Sequence, residues 1–478
     1  MRYLSTRGGA PAASFQDILL EGLAPDGGLY VPEAWPQFSL NEIESFARMP
    51  YASLAAAVLA RFAPDIPPEI LRKLTQKAYS PAIFCHARPG SDTQKIFPLR
   101  PLDKGLSLLE LSNGPTLAFK DAAMQLMSYL LCRALGEEKK TLTILGATSG
   151  DTGSAAIQAL RGKPGLRVVM LSPASRMSVF QRAQMYAVYD ENVMNVAVRG
   201  TFDDCQDLVK ALNADAAFKA KHRLGAINSI NWARIAAQTV YYFAAYLQAA
   251  EKTGQPVSFA VPSGNFGNAY AGYAAKRMGL PIERIVVATN ENDALHRTFI
   301  TGAYAPRLKA RATSSPSMDI TKASNFERAV FDAAGRDGKQ TAVICKAFQH
   351  TGKIDFANDH PAVWDKLRAL GFVSSSGTHL DRLDLIREAY KRWGVLIDPH
   401  TADGLKGALS YHKPGERMVA LETAQAVTFE KTIVEALGFK PKPPPGLEDL
   451  LFKSQNMTVI DPRAQTLKTL IDEWKLPS

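Results

Sequence analysis

The fold is decided by the segment at residues 141–160, which reads TLTILGATSGDTGSAAIQAL. It begins with a short apolar and β-branched run, continues through the glycine-rich loop GATSGDTG, and ends in an alanine-rich stretch that favours a helix from Ser154 onward. A strand that leads through a glycine loop into a helix is the repeating unit of parallel sheets. The segment therefore predicts an α/β fold.

A second segment has the same plan. Residues 257–262 form an apolar run, the loop SGNFGN follows at residues 263–268, and a helix is predicted from Ala269. In both loops glycine permits a sharp turn, and the following helix offers free N–H groups and the positive end of its dipole to an anion. Either loop alone is also typical of an ordinary helix start. The pair together predicts two anion pockets, suited to a cofactor phosphate and to a substrate carboxylate or phosphate.

The alternation of strands and helices extends along the chain. Candidate strands lie at residues 142–145, 167–171, 193–198, 258–261, 284–289 and 417–421, and candidate helices at 154–160, 232–247 and 269–278. This pattern predicts parallel sheets that are covered by helices on both faces. We expect an N-terminal domain at 1–95, a core at 96–430 containing a smaller mobile α/β subdomain at about 140–215, and a helical, peripheral tail at 431–478.

Composition and motifs disfavour several classes of protein. The 478 residues are 46% apolar and 21% charged, as in an ordinary globular protein, and no run approaches the ~18 apolar residues of a membrane span. Basic residues are spread along the chain, so the net charge of +10 predicts no nucleic-acid-binding patch. Neither loop is GxGxxG or GxxxxGK[ST], which argues against nicotinamide and P-loop nucleotide sites. The sequence shows no CxxC or HExxH motif and no signal peptide, so we expect no disulfide, no metal and a cytoplasmic location.

Residues 113–121 read NGPTLAFKD, in which a Gly-Pro turn leads into a short apolar run that ends in one lysine. Burial disfavours the charged form of a lysine amine, and a neutral amine is the nucleophile that forms Schiff bases. Lys120 is therefore a candidate for covalent catalysis. The alternative, a surface lysine beside Asp121, is the more common arrangement, and the spacing alone does not choose between the two.

Eight ordered blocks of the sequence carry a family resemblance. They lie at residues 3–8, 26–32, 114–121, 146–153, 200–206, 228–235, 264–267 and 315–320. Together they resemble the threonine synthase family of pyridoxal-phosphate enzymes, which has the fold of the tryptophan synthase β subunit. The resemblance implies fold type II, an α/β architecture in which two parallel-rich sheets are flanked by helices and preceded by an N-terminal domain.

The resemblance also implies a role for individual residues. Lys120 matches the lysine that binds pyridoxal 5′-phosphate, Phe119 is placed to pack near the cofactor ring, and Thr423 matches the hydroxyl that meets the pyridine nitrogen. The loop implied to bind the cofactor phosphate consists of Gly264, Asn265, Phe266, Gly267 and Asn268. The candidates for binding the substrate carboxylate or phosphate are Thr148, Ser149, Gly150, Asp151 and Thr152, and for the phosphate also Asn231 and Arg234. Arg234 is interpreted equally well as part of a structural ion pair.

The implied reaction is the conversion of O-phospho-L-homoserine to L-threonine and phosphate by a monomer or a homodimer. Two positions depart from the family pattern. Asn113 stands where a histidine is usual, and Gln425 belongs to a stretch that reads TAQAVTF where the family reads TAHPAKF. Two alternatives stay open, a related phospho-lyase that releases 2-oxobutyrate and a metabolite-binding protein without catalytic activity.

Overall fold

The computed structural model of the chain describes residues 1–138, 140–174 and 177–474. The strands are β1 Tyr3–Ser5, β2 Tyr30–Pro32, β3 Leu99–Asp103, β4 Leu106–Leu109, β5 Leu142–Ala147, β6 Leu166–Pro173, β7 Val193–Val198, β8 Leu224–Gly225, β9 Val257–Pro262, β10 Ile282–Thr289, β11 Ala303–Tyr304, β12 Ile354–Asp355, β13 Phe372–Ser376, β14 Arg417–Leu421 and β15 Thr458–Ile460.

Helices fill most of the intervening chain. They are α1 Phe15–Glu21, α2 Leu40–Ser45, α3 Tyr51–Phe62, α4 Pro68–Ala78, α5 Lys120–Glu138, α6 Asp151–Leu160, α7 Val179–Tyr186, α8 Phe202–Ala214, α9 Ala216–His222, α10 Trp232–Ala249, α11 Gly267–Arg277, α12 Ala294–Thr301, α13 Phe326–Ala333, α14 Gly338–Thr351, α15 Phe356–Asp359, α16 Pro361–Ala369, α17 His379–Trp393, α18 Pro399–Tyr411, α19 Glu430–Leu437 and α20 Ala464–Glu473. Short 3-10 turns occur at Pro316–Met318, Ala426–Phe429 and Leu450–Phe452.

Two parallel-rich sheets form the frame of the molecule, as predicted. The larger sheet has the strand order β13-β10-β9-β14-β4-β3, and all its neighbours are parallel except β3, which pairs antiparallel with β4. The smaller sheet has the order β15-β7-β6-β5-β8 and is parallel throughout. Carboxyl ends of parallel strands meet at one edge of a sheet, which is where α/β proteins place ligands. Both glycine loops lie at such ends, after β5 and after β9.

The N-terminal elements share the main core instead of forming one of their own. The fully buried ring of Trp232, at the start of α10, contacts Tyr3, Trp35, Phe62 and Tyr270 at ring-centroid distances between 5.6 and 6.4 Å. Aromatic pairs of this kind contribute packing beyond their buried area. Residues from β1, α3, α10 and α11 are thereby held in one cluster.

The C-terminal segment differs from the expected helical tail. It forms helix α20, but it also supplies β15, which pairs in parallel with β7 at the edge of the smaller sheet. Its Leu450 packs against Leu117, Phe180 and Val427. Only three residues make the strand, too short a run for a sequence pattern to reveal. Within the described residues, no helix combines the length and the apolar character needed to cross a bilayer.

Candidate active site

Helix α6 begins at Asp151, within the first glycine loop. Its N-cap is Gly150, whose φ of +148° is a conformation that glycine adopts readily and other residues rarely adopt. No side chain caps the helix. The hydroxyl of Thr148 shapes the loop by accepting hydrogen bonds from Gly150 N (3.0 Å) and Gly153 N (2.9 Å). The side chains of Ser149 and Thr152 are partly exposed and make no hydrogen bond to a described residue. First-turn N–H groups and two hydroxyls are thus open to an anion.

The second glycine loop has the same construction at the end of β9. Phe266 adopts a left-handed conformation at φ +65° and is the N-cap of α11, which again lacks a side-chain cap. A Cβ at Gly264 would lie 3.1 Å from the Cα of Met318, so only glycine fits without displacement. The buried hydroxyl of Ser263, at the start of the loop, has no hydrogen-bond partner among the described residues. An anion held by this loop would satisfy that hydroxyl together with the free N–H groups of the helix.

Two asparagines of this loop are held by hydrogen bonds from neighbouring residues. Asn268 is fixed by the hydroxyls of Tyr241 and Tyr242, which donate to its Oδ1 over 2.5 and 2.9 Å. Asn265 is exposed, and its backbone carbonyl accepts two hydrogen bonds from Asn325. The loop is therefore held from both ends.

Lys120 starts helix α5 and is 9% exposed. The preceding backbone is anchored to the end of β14, because Phe119 N donates to Thr423 O over 2.8 Å and Ala118 forms a bridge with Ala424. Burial lowers the pKa of the Lys120 amine, and the neighbouring Arg234 lowers it further, whereas the carboxylate of Asp151 opposes both. The net shift is downward, so the amine is more easily made neutral than that of a surface lysine. The structure thus contradicts the surface-lysine alternative.

Asp151 brings the two halves of the site together. Its Oδ2 lies 3.3 Å from Lys120 Nζ and accepts from Ser317 Oγ over 2.5 Å, while its Oδ1 accepts from Gln181 Nε2 over 2.7 Å. Burial alone would raise the pKa of the Asp151 carboxyl, but the Lys120 ammonium and these donors outweigh it and lower the pKa to about 2. Asp151 is therefore an ionised partner of the lysine.

Thr423 lies just beyond β14, next to the backbone of Phe119, which donates to its carbonyl. It is buried, its backbone N–H donates to Thr401 Oγ1 over 3.0 Å, and its hydroxyl makes no hydrogen bond to a described residue. The ring of Phe119 lies next to the amine, with its centroid 5.5 Å from Lys120 Nζ. The aromatic ring beside the amine and the free hydroxyl at the neighbouring strand end suit a planar ring that carries a hydrogen-bonding group.

Arg234 and Asn231 differ in what their side chains are free to do. The guanidinium of Arg234 is buried without a carboxylate partner among the described residues, its Nε has no acceptor, and burial lowers its pKa to about 10. Among the described residues Arg234 therefore forms no structural ion pair. Asn231 uses both polar atoms elsewhere: Oδ1 caps α10 at Ala233 N (3.0 Å), and Nδ2 donates to Leu19 O (2.9 Å). The charge of Arg234 acts on Lys120, and its only side-chain hydrogen bond among the described residues runs from Nη1 to Ile227 O over 3.5 Å, whereas Asn231 has a capping role.

Several residues close to Lys120 and Asp151 were not predicted individually. His400 and Asp398 lie at the start of α18, where His400 Nε2 contacts Ser317 N over 3.0 Å and His400 Nδ1 contacts Asp398 Oδ2 over 2.6 Å. Asp398 followed by proline is a recognisable helix start. Nothing in the spacing indicates that this helix end reaches Ser317, which lies 83 residues earlier.

The two departures from the family pattern have hydrogen-bonding roles. Gln425 Nε2 donates to the carbonyls of His86 (2.7 Å) and Ser112 (3.1 Å). Asn113 Nδ2 donates to Ile96 O over 3.3 Å, and its buried Oδ1 has no partner among the described residues. Both side chains thus fasten the segment that joins the N-terminal elements to the larger sheet. Among the described residues, no group of His, Cys, Asp and Glu side chains could hold a metal ion.

Comparison with known proteins agrees with this geometry. Three family models match the chain: "Threonine synthase N terminus" at residues 2–79, "Pyridoxal-phosphate dependent enzyme" at 96–348 and "Threonine synthase, C-terminal" at 401–471. The threonine synthase of Methylobacillus glycogenes is 52% identical over 99% of this chain and 100% of its own length. That of Corynebacterium glutamicum is 48% identical over 93% of this chain and 92% of its own. The crystal structure of PLP-bound threonine synthase from Brucella melitensis superposes with a TM-score of 0.93 at 39% identity and covers 99% of both chains. The chain belongs to the threonine synthase family of pyridoxal-phosphate-dependent enzymes.

Proposed function

We propose that the chain converts O-phospho-L-homoserine and water to L-threonine and phosphate, with pyridoxal 5′-phosphate bound to Lys120. The observation that carries the proposal is the position of the buried Lys120 amine. It lies against Asp151 at the uncapped start of α6, in a cluster that reaches the uncapped loop before α11 through Ser317. Two such termini around one amine suit a cofactor phosphate and a substrate anion.

The residues around the amine fit the cofactor. Lys120 would hold it covalently, the N–H groups of residues 264–268 together with the unpaired Ser263 hydroxyl would bind its phosphate, and Phe119 would pack beside its ring. The free hydroxyl of Thr423 would meet the ring nitrogen. When bound, the cofactor supplies an electron sink for negative charge that develops on the substrate carbons. A neutral hydroxyl, unlike a carboxylate, does not hold a proton on the ring nitrogen.

The substrate would be bound by its two anionic ends. Its carboxylate suits the open N–H groups of Asp151 and Thr152 and the hydroxyl of Ser149. Its phosphate suits Arg234, because a guanidinium binds phosphate with two parallel hydrogen bonds and this guanidinium has no anionic partner among the described residues. Thr148 supports the loop from behind through its own hydrogen bonds.

Lys120 is also the group suited to move protons. Once its amine is free of the cofactor, a lowered pKa leaves a larger neutral fraction to accept a proton from Cα and, after that proton has been passed on, another from Cβ. Asp151 holds Nζ in position throughout, since its own low pKa keeps it ionised. Phosphate leaves Cγ, the two protons taken from Cα and Cβ are returned to Cα and Cγ, and water adds its hydroxyl at Cβ and gives its remaining proton to the released phosphate.

We further propose a cytoplasmic enzyme that acts as a monomer or a homodimer. All four cysteines (Cys85, Cys132, Cys205 and Cys345) are free thiols. Free thiols suit a reducing compartment.

Product analysis tests the proposed reaction. Purified protein with pyridoxal 5′-phosphate is incubated with O-phospho-L-homoserine, and threonine, 2-oxobutyrate and phosphate are measured together. We expect threonine and phosphate in equal amounts, loss of both in Lys120→Ala, and no loss in Lys210→Ala, whose lysine is exposed on α8. Equal 2-oxobutyrate and phosphate would identify a phospho-lyase instead. Absence of turnover together with tight substrate binding would identify a binding protein.

A further inference from the structure

We propose that His400 is a positioning residue that fixes the carboxylate of Asp151 beside Lys120 by holding Ser317. His400 is fully buried near the start of α18, between Asp398 and the turn Pro316–Met318. It makes no hydrogen bond to Lys120 or to Asp151. The inference rests on the proposed function in one respect only, that Lys120 is taken as the lysine that binds the cofactor.

The hydrogen bonds of the imidazole determine where its proton lies. Ser317 N, 3.0 Å from Nε2, is a backbone amide and can only donate, so Nε2 must be the bare acceptor nitrogen. Nδ1 then carries the proton and donates to Asp398 Oδ2 over 2.6 Å. Each ring nitrogen has one partner of the correct kind, so one tautomer is selected.

Ser317 transmits this position to the reactive pair. Its Oγ donates to Asp151 Oδ2 over 2.5 Å, and that same oxygen lies 3.3 Å from Lys120 Nζ. The carbonyl of Ser317 would lie 3.3 Å from a Cβ at Gly264, so the residue also touches the loop before α11. A shift of Ser317 would therefore move Asp151 relative to Lys120 and alter the second glycine loop as well.

Asp398, the other partner of the imidazole, is anchored to the end of strand β14, where Thr423 lies. Asp398 Oδ1 accepts from Thr401 N (3.0 Å), from Thr401 Oγ1 and from Ala424 N (3.4 Å). Thr401 Oγ1 in turn accepts from Thr423 N over 3.0 Å. The ring of Phe429 packs on the imidazole with its centroid 4.7 Å away. His400 is thus held in a fixed position and is suited to fix the position of Ser317.

Substitutions can separate the two hydrogen bonds of the imidazole. His400→Asn keeps a donor near the position of Nδ1 and loses the acceptor for Ser317 N, whereas His400→Gln keeps an acceptor near the position of Nε2 and loses the donor to Asp398. Ser317→Ala removes the next link alone. His222→Asn is the matched control, because His222 also pairs with an aspartate, Asp472 over 2.6 Å, but lies on α9 beside the smaller sheet.

The affinity of the cofactor-free protein for pyridoxal 5′-phosphate is the main measurement, since covalent capture requires Nζ to be correctly placed. We expect His400→Asn and Ser317→Ala each to raise Kd roughly tenfold, the cost of one lost hydrogen bond to a buried group. His400→Gln should stay within about threefold of the parent, and the double variant His400→Asn/Ser317→Ala within about twofold of the weaker single variant, because both changes break one linkage. Kd of His222→Asn should be unchanged.

A multiplicative loss in the double variant, about 100-fold by the same arithmetic, would overturn the proposal, as would equal losses in His400→Asn and His400→Gln. Nitrogen-15 NMR of histidine-labelled, cofactor-free parent protein needs no variant and gives a second test. It should show His400 protonated at Nδ1 and bare at Nε2, and the opposite tautomer or a doubly protonated ring would contradict the argument. A protein that shows this pattern but makes no threonine would refute the proposed reaction and leave the role of His400 standing.

Discussion

Lys120 Nζ lies 3.3 Å from Asp151 Oδ2, and both side chains are buried. The two residues begin consecutive helices, α5 and α6, yet they approach the same point from different sheets: Lys120 is anchored to the end of β14 in the larger sheet, and Asp151 follows β5 in the smaller one. The pair therefore depends on the relative position of the two sheets. Any change that moves one sheet against the other will alter the environment of the amine.

Ionisation of Asp151 should make stability depend on pH in the acid range. Its folded-state pKa of about 2 lies below the ordinary value of 3.8, so its contribution is fully present above the ordinary value and is lost as the pH falls towards 2. We expect the stability advantage of the cofactor-free parent over Asp151→Asn to shrink by about 1 kcal/mol between pH 6 and pH 3. Urea unfolding at both pH values measures this change. Asp207→Asn, at an exposed pair on α8, should show no such change, and a constant advantage for the parent would contradict the assignment.

Loss of the guanidinium of Arg234 should affect the substrate more than the cofactor. Arg234→Gln is expected to lower kcat/KM for O-phospho-L-homoserine by about 10- to 100-fold, the value of a charge-assisted pair of hydrogen bonds, mainly through KM. The visible absorption of the bound cofactor should persist. Steady-state kinetics and absorption spectra check this, with Arg199→Gln at an exposed ion pair as the control. An unchanged KM would exclude Arg234 from the substrate site.

Gln425 should tolerate loss of its amide better than its replacement by a carboxylate. Its Nε2 donates to the carbonyls of His86 and Ser112, and a glutamate at neutral pH would oppose those carbonyls with a negative charge. We expect Gln425→Ala to lower the free energy of unfolding by about 1–2 kcal/mol, and Gln425→Glu by about 3 kcal/mol. Urea titrations measure both, and the exposed Gln340→Glu should change little. Equal values for the two Gln425 variants would show that the amide does not donate to these carbonyls.

Substitution by alanine should have opposite effects at Gly150 and at Gly136. At Gly150 the φ of +148° and the side chain of Gln181 exclude a Cβ, so Gly150→Ala should displace Gln181 from Asp151 and abolish most turnover. At Gly136, inside α5, a Cβ meets nothing within 4 Å. Gly136→Ala should raise the free energy of unfolding by roughly 0.5–1 kcal/mol through helix propensity and leave turnover unchanged. Full activity in Gly150→Ala would contradict the close packing at this loop.

The sequence predicted the fold well where patterns are local. All six candidate strands exist, and helix α10 begins at Trp232 as expected, because apolar runs and periodic alanine-rich stretches are visible in short windows. Short or edge strands such as β8 and β15 were missed, since two or three residues carry no periodicity. Helix α6 begins at Asp151 instead of Ser154, because the glycine loop itself supplies the N-cap.

The candidate site was predicted less completely than the fold. The two glycine loops could be found because each stands in a distinctive local segment, whereas the local segment made Lys120 only a candidate and the family resemblance selected it. His400 and Ser317 could not, because their contact joins residues 83 positions apart, and sequence spacing carries no information about such contacts. The same limit explains Arg234, because only the folded structure reveals that it has no anionic partner in the part of the chain that the structure describes.

Reductive labelling tests the central claim, that Lys120 holds the cofactor, most directly. Protein saturated with pyridoxal 5′-phosphate is treated with borohydride, which fixes the cofactor on its lysine, and is then digested and analysed by mass spectrometry. The structure predicts that the cofactor mass is found on the peptide containing Lys120 and is absent from Lys120→Ala. Labelling of a different lysine, or equal labelling of Lys120→Ala, would contradict the assignment.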